Sequence, residues 1–218
     1  MFSRKLALCA FVAALGVAGA AQADTNDFIP KHKGLWLVNV RVTDVMTTDH
    51  QHILTGAGAD TGLQTRISDS LIPSASVSYF LTDNVALDLI VGTSHHDIFA
   101  VGPGTDVLVH RTWVLPPTLS LQYHFLPKDR ISPYVGAGVN YMLFYSGQNE
   151  NGFTVHTPNG FGASLEGGVD YAVSQHANIN LDLKKIFYTT DASINGGAFK
   201  SHVNLDPWVP SVGVGWKF

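Results

Sequence analysis

The amino-acid sequence predicts an all-β fold, an eight-stranded antiparallel β-barrel that spans a membrane. Three observations predict it. Eight segments alternate between large apolar residues and small or polar residues, as strands do when one side faces lipid and the other a lumen. The connections between these segments are alternately short and long, and the last segment ends in the aromatic residue Phe218. Outer-membrane barrels have short turns on one side, long loops on the other and aromatic girdles at both interfaces.

The first residues of the chain predict a signal peptide. A short positive region precedes an apolar run, and an A-x-A pattern of small residues ends that run at Ala23, as in secretory signals. We therefore expect residues 1–23 to be a signal peptide and residues 24–218 to form one outer-membrane barrel domain. The single cysteine, Cys9, falls inside the predicted signal, so the remaining chain has no disulfide option.

The charge balance disfavours one class of protein, and the lengths of the apolar runs exclude another. Of 13 basic residues, Arg4 and Lys5 fall in the predicted signal, so 11 remain against 17 acidic residues. A nucleic-acid partner would require a basic face, so no nucleic-acid partner is expected. Beyond Ala23, no apolar run approaches the roughly 18 residues that a membrane-spanning helix needs. A helical membrane protein is therefore excluded.

Alternation predicts eight strands in order along the chain. Their approximate ranges are 35–43, 71–80, 85–93, 112–125, 134–145, 161–171, 177–184 and the C-terminal segment that ends at Phe218. One face of each strand is apolar and the other is small or polar, for example Val38 and Val40 against Asn39 and Arg41. Lys185 breaks the alternation of the seventh strand, so we expect that strand to bulge or to leave the hydrocarbon there.

Short and long connections alternate strictly between these strands. The long ones, near residues 45–70, 94–111, 146–160 and 189–202, are predicted to be extracellular loops. Short turns are typical of the periplasmic side of an outer-membrane barrel. The even number of strands then predicts that both the N terminus and the C terminus lie in the periplasm, with the barrel in the cell outer membrane.

Six charged residues fall on the predicted inward face of the strands. They are Arg41, Asp88, Glu166, Asp170, Asp182 and Lys184. A charge that faced lipid would cost about 2–4 kcal/mol at the bilayer midplane, whereas opposite charges inside a barrel can pair across the lumen. These residues are therefore predicted to be lumen charges. A soluble sandwich would show a similar alternation, so alternation alone does not separate the two folds.

Several short motifs resemble the OmpW family of small outer-membrane barrels. The motifs are LPPTL at 115–119, PYVGAGVNY at 133–141, GVDY at 168–171 and LDPW at 205–208. The resemblance implies an eight-stranded barrel with a narrow apolar channel in its outer half, which passes small hydrophobic molecules across the outer membrane and releases them sideways through its wall. The aromatic C-terminus resembles the signal read by the bacterial barrel-assembly machinery. Outer-membrane lipid, lipopolysaccharide, that machinery and a small apolar solute are the expected partners.

Apolar residues on the inward face near the long connections are the candidate ligand path. With the proline pair beside them, they are Ile90, Val114, Pro116, Pro117, Met142, Phe144 and Leu205. Simple packing of a narrow barrel interior explains this cluster equally well. Pro116 and Pro117 cannot donate to a strand ladder, which predicts either a gap in the wall, suited to lateral exit, or only a bulge.

Other chemistry is weakly indicated. The segments His95-His96-Asp97 and His50-Gln51-His52 carry metal-ligating residue types, but both are predicted to be loops and lack further ligands. His124, Glu166 and Asp182 have the residue types of a hydrolytic cluster, but no G-x-S-x-G elbow accompanies them. We therefore expect no metal, no cofactor and no enzymatic activity.

Two alternatives to a transport channel remain open at this point. The first is a structural or adhesive outer-membrane barrel with a plugged lumen and no transport role. The second is a soluble periplasmic barrel that binds lipid. A requirement for detergent on purification would exclude the second, and uptake of a solute into reconstituted vesicles would exclude the first.

Overall fold

A computed structural model describes residues 28–47 and 51–218, so the predicted signal peptide and His50 lie outside the described residues. Fifteen strands and one short 3-10 turn, Asn195–Gly197, are present in those ranges. The strands are β1 Trp36–Val45, β2 Gln51–Thr55, β3 Asp60–Ile67, β4 Ser70–Phe80, β5 Val85–Gly92, β6 Ser94–Gly102, β7 Thr105–Leu115, β8 Thr118–His124, β9 Ile131–Asn149, β10 Val155–His156, β11 Gly160–Ala172, β12 Ala177–Phe187, β13 Thr189–Ile194, β14 Phe199–Asn204 and β15 Trp208–Lys217. No helix in the described ranges is long and apolar enough to cross a membrane.

Eight of these strands close into a ring, which confirms the predicted barrel. In spatial order they are β9, β11, β12, β15, β1, β4, β5 and β8, and β8 pairs back with β9. Every pairing in the ring is antiparallel. The N-terminal and C-terminal strands meet, with Val40 opposite Val214. Because the ring is closed, it has no free edge strand that would leave a whole row of backbone groups unpaired in lipid.

The predicted facing of the ring strands is confirmed. Along β8 the burial alternates at every residue, with Ser120 and Gln122 buried and Leu119 and Leu121 exposed. Aromatic residues mark both ends of the exposed apolar belt. At one end Trp36 packs on Tyr79, with ring centroids 4.7 Å apart, and at the other Trp113 faces Tyr145 at 6.4 Å. An apolar band between aromatic girdles is the outer surface of a membrane barrel.

The long connections are mostly β-structure, contrary to the prediction of loops. Three hairpins, β2–β3, β6–β7 and β13–β14, extend beyond the ring and are called the outer hairpins below. With β10 and the last part of β9 they continue the sheet in the order β10-β13-β14-β2-β3-β6-β7-β9. Outside the hydrocarbon neither face of a strand has to be apolar, so the two-residue apolar period that identifies the ring strands is absent there. The barrel wall is therefore taller than the sequence indicates.

Two predicted strands differ in detail. The predicted strand 112–125 is divided, because β7 ends at Leu115 and β8 begins at Thr118, on either side of the proline pair. The bulge expected at Lys185 is absent: Lys185 pairs in register with Leu165 and Trp208, and β12 continues to Phe187. The ammonium group donates to the Asp206 carbonyl and lies 5.0 Å from the Trp208 ring centroid. A long side chain with such partners can sit on the outer face without disturbing the strand.

Candidate ligand cavity

A large cavity occupies the half of the ring that adjoins the outer hairpins and continues between those hairpins. The space free of protein atoms is about 1260 Å³, including the part that is open to solvent. On β8 and β12 the lining begins at Thr118 and Lys184, and it reaches Ile53, Val109 and Ile194 on the outer hairpins. The cavity therefore runs from the middle of the ring to the outer hairpins.

The wall of this cavity is mainly apolar. Four members of one buried cluster, Val114, Met142, Ile186 and Val209, form its lower part. Of the predicted path residues, six line the cavity, namely Ile90, Val114, Pro116, Met142, Phe144 and Leu205. Pro117 does not line it, because it lies on the opposite parity of the strand.

Sequence reasoning missed several lining residues. Ile186 continues the inward parity of Asp182 and Lys184 on β12, so the alternation would have indicated it had the strand been extended past Lys185. The lining residues of the outer hairpins, such as Ile67 and Val203, gave no such signal because their segments were predicted to be loops.

Several of the hydroxyl groups around the cavity bond to the wall itself. The donor and acceptor pairs are Thr47 Oγ1 to the Ile67 carbonyl at 3.0 Å, Thr65 Oγ1 to the Gln51 carbonyl at 3.4 Å, Thr118 Oγ1 to the Pro116 carbonyl at 3.1 Å and Ser201 Oγ to the His52 carbonyl at 3.2 Å. The ring nitrogens of His96 likewise bond to the Ser68 carbonyl at 2.7 Å and to Ser94 Oγ at 2.8 Å. Because these groups are already satisfied, the wall presents chiefly carbon to a ligand.

The barrel wall has an unpaired stretch at Pro116 and Pro117. In the described structure, β8 pairs with β5 as far as Thr118 and Ile90, and β7 pairs with β6 from Val114 and Ser94 outward. No ladder pair joins the described residues between these two points. The register is the same on both sides of the interruption, whereas a bulge would have shifted it. On the other side of the prolines, the Tyr141 N–H donates to the Pro117 carbonyl at 3.1 Å. The proline pair therefore opens the ladder on one side without bending the strand into a bulge.

Charged and amide side chains fill the ring below the cavity. All six predicted lumen charges are buried there. Lys184 pairs with Glu166, which also accepts from Gln122 Nε2 at 2.9 Å. Arg41 Nε donates to Asn180 Oδ1 at 2.7 Å, the Tyr134 hydroxyl donates to Asp182 at 2.9 Å and the Ser78 hydroxyl donates to Asp88 at 2.6 Å. This layer forms a filled polar floor.

The segment before β1 closes the opposite end of the ring. Lys31 is 2% exposed, and its Nζ donates to Asp170 Oδ2 at 2.6 Å and to Ser132 Oγ at 2.9 Å and contacts His124 Nδ1 at 2.8 Å. Burial lowers the pKa of Lys31, and the adjacent Asp170 carboxylate opposes that shift. Ile29 packs on a buried apolar cluster that includes Phe80. Sequence reasoning missed Lys31 because no alternation marks the segment around it.

The other candidate sites do not assemble. His95, His96 and Asp97 lie in strand β6 rather than in a loop, and His95 packs edge-to-face against Trp113 with centroids 5.1 Å apart. Within residues 28–47 and 51–218, no group of three or more His, Cys, Asp or Glu side chains could hold a metal ion. The side chains of His124, Glu166 and Asp182 each bond to other residues of the floor.

Comparison with known proteins identifies close relatives of this barrel. The model of the OmpW family matches residues 32–218. The uncharacterized outer-membrane protein y4mB of Sinorhizobium fredii is 40% identical over 222 residues, which cover 94% of this chain and 95% of that protein. The dibenzothiophene metabolism operon protein PahQ of Pseudomonas aeruginosa is 24% identical over 182 residues, 76% of this chain and 85% of that protein. The crystal structure of the outer membrane protein OprG from Pseudomonas aeruginosa superposes with a TM-score of 0.81 at 26% identity, over 88% of this chain and 99% of that one.

Proposed function

Because the chain belongs to the OmpW family of outer-membrane barrel proteins, we propose that it is a channel for the passive uptake of small hydrophobic molecules. The observation that carries the proposal is a mainly apolar cavity, in which several hydroxyl groups are already bonded to the wall, that ends on a charged floor. The barrel contacts membrane lipid on its outer face. The name of the relative PahQ refers to dibenzothiophene metabolism, and dibenzothiophene is itself an apolar aromatic compound.

The energetics favour entry into the cavity and disfavour passage straight through the ring. Burial of apolar surface contributes roughly 25 cal/mol per Å², so a small hydrocarbon gains free energy on leaving water for this wall. Below the cavity, the same molecule would meet Arg41, Asp88 and Asp182, whose hydration or hydrogen bonds it cannot replace. Beyond these charges, the segment around Lys31 closes the end of the ring that lies opposite to the cavity. A direct route to the periplasm is therefore unfavourable.

We infer that the solute leaves sideways at the proline pair. Pro116 lines the cavity, and Gly92, which stands opposite Pro116 in the continuing register, has no side chain to block the wall. Trp113 of β7 lies three residues outward from Pro116 and Leu119 of β8 three residues inward, and both are exposed. The unpaired stretch thus faces the apolar belt just inside the outer aromatic girdle. A solute that passes it enters hydrocarbon directly.

The proposal includes an orientation and a route of assembly. Residues 1–23 act as a signal peptide, both termini face the periplasm, and the outer hairpins face the cell exterior among lipopolysaccharide. The exposed ring of Phe218 is available for recognition by the barrel-assembly machinery. The difference in height between the short turns and the long hairpins supports this orientation.

Uptake by reconstituted protein tests the proposal. The double variant Met142→Asp with Phe144→Asp puts two carboxylates into the apolar wall, whereas Met142→Leu with Phe144→Leu keeps that wall apolar. We expect the first variant to lose uptake of a hydrophobic fluorescent probe into proteoliposomes and the second to retain it. Unchanged uptake by the folded aspartate variant would overturn the channel and favour a structural or adhesive barrel with a plugged lumen.

A further inference from the structure

A small polar site lies directly below the apolar cavity. On the inward faces of β8, β9 and β11, Asn140 stands opposite Thr118 and Gly162. One layer deeper, Gly138 stands opposite Ser120 and Ser164. Thr118 lines the cavity, and so does Met142, which follows Asn140 by two residues on the same face. The polar site therefore begins where the apolar wall ends.

Four of the five side-chain polar atoms of this site have no hydrogen-bond partner within the part of the chain that the structure describes; the fifth, Thr118 Oγ1, donates to the Pro116 carbonyl. Neither the Nδ2 nor the Oδ1 atom of Asn140 has a hydrogen-bond partner there, and the same holds for Ser120 Oγ and Ser164 Oγ. Asn140 is 1% exposed, and both serines are equally well buried. Buried polar groups that lack partners are uncommon and destabilising, so each needs an explanation.

Glycine provides the space that these side chains occupy. A Cβ added at Gly162 would lie 2.4 Å from Asn140 Oδ1, and one added at Gly138 would lie 2.6 Å from Ser120 Oγ. Any larger residue at either position would displace the polar side chain from the wall. The arrangement is thus built from six inward positions on three strands rather than from one exposed group.

We propose that this site binds the polar head of a ligand whose apolar part fills the cavity. The inference rests on the proposed function and names its substrate class: a small apolar molecule with one neutral hydrogen-bonding head, such as an alcohol, a phenol or a ketone. An amide offers both donors and an acceptor, and hydroxyl groups offer both as well, so together they match a neutral head. Lys184 is already paired with Glu166, so no free charge offsets the desolvation of a carboxylate.

Binding of matched aromatic probes to the full-length refolded protein tests this inference. Naphthalene, 2-naphthol and 2-naphthoate share one ring system and differ in the head group. Their binding is measured by fluorescence in detergent micelles and corrected for partition into protein-free micelles. We expect the wild type to bind 2-naphthol about fivefold more tightly than naphthalene, as one added hydrogen bond in a buried site would give, and to show no preference for 2-naphthoate.

Variants separate the site from the cavity. Asn140→Leu should lose the preference for 2-naphthol and retain naphthalene binding. Ser120→Ala with Ser164→Ala, a smaller change that preserves packing, should reduce the preference. Thr65→Val removes a cavity hydroxyl that already bonds to the Gln51 carbonyl, so the preference should persist in this control.

Three results would overturn the inference. Equal corrected affinities of the wild type for naphthalene and 2-naphthol would mean that the site holds only water. A preference that survives both Asn140→Leu and the double serine variant would place the head elsewhere, and a preference for 2-naphthoate would contradict a neutral head. Failure of all three probes to bind would instead overturn the apolar cavity function itself, so the two failures are distinguishable.

Discussion

Lys31 and Asp170 form a buried ion pair that links the segment before the first strand to the interior of the ring, with Nζ and Oδ2 2.6 Å apart. The two residues are 139 positions apart in sequence. The same ammonium donates to Ser132, and Asp170 accepts from Asn178 and Asn180. The N-terminal segment is therefore held in the ring by charge as well as by the packing of Ile29.

Removal of one partner of this pair should destabilise the barrel. Lys31→Met leaves the Asp170 carboxylate buried without its ammonium, which costs about 3–5 kcal/mol in comparable buried pairs. Lys31→Met combined with Asp170→Asn removes both charges and should recover much of that loss. The free energy of unfolding of the refolded protein in denaturant measures both effects. An unchanged unfolding free energy of Lys31→Met would show that the pair does not hold the segment in place.

The lipid-facing assignment of the ring strands leads to a second prediction. Leu121 is exposed on the outer face of β8, whereas Ser76 is buried on the inner face of β4 beside Asn39. Leu121→Arg places a charge in hydrocarbon, at a cost of about 2–4 kcal/mol near the midplane, and should hinder assembly. Ser76→Asp can accept from the Asn39 amide and should be tolerated better. The folded fraction after refolding into vesicles compares them, with Leu121→Met as an apolar control. Equal folded fractions of all three would contradict the facing.

The terminal aromatic residue leads to a prediction that separates assembly from stability. Phe218 is 69% exposed, and its backbone pairs with Trp36, so a change of side chain leaves the strand pairing intact. Phe218→Asp should lower the outer-membrane level of the protein in cells, because the barrel-assembly machinery would lose its signal, while unfolding of refolded protein stays nearly unchanged. Phe218→Tyr retains an aromatic ring and should assemble normally. Normal cellular levels of Phe218→Asp would contradict this role.

The ring could be predicted from sequence because lipid imposes a strict rule on it. Residues such as Val38, Val40 and Leu121 must be apolar where they face hydrocarbon, so the alternation identifies each strand and its inward side. The outer hairpins could not be predicted in this way, since outside the hydrocarbon neither face of a strand has to be apolar, and their cavity lining mixes apolar residues such as Ile53 with polar ones such as Thr65 and His96.

The candidate site could be predicted only where its residues lie on the predicted ring strands. Met142 and Phe144 follow the inward parity of a ring strand, so their position on the cavity wall could be inferred from sequence. Ile186 lies just past Lys185. Because that charged residue falls on the outward face, the alternation predicted that the strand ends at Lys184, although it continues to Phe187. Lys31 could not be found at all, because its partners come together only when the ring closes.

The central claim is that solute leaves through the unpaired wall at the proline pair. When the register shared by the two flanking ladders is continued across the unpaired stretch, Val91 stands opposite Pro117. Both positions belong to the outward face of the wall. A disulfide formed by Val91→Cys with Pro117→Cys would tie the two sides of the opening together. Leu89→Cys with Leu119→Cys is the matched control, because those residues are direct partners in the β5–β8 ladder, two residues away on the same outward face, where the wall is already closed.

Uptake of a hydrophobic probe by proteoliposomes, measured for each cysteine pair before and after reduction, tests this claim most directly. The account predicts that the oxidised Val91–Pro117 pair blocks uptake, that reduction restores it, and that the Leu89–Leu119 control transports in both states. Full uptake by the oxidised Val91–Pro117 pair would contradict lateral exit at this position.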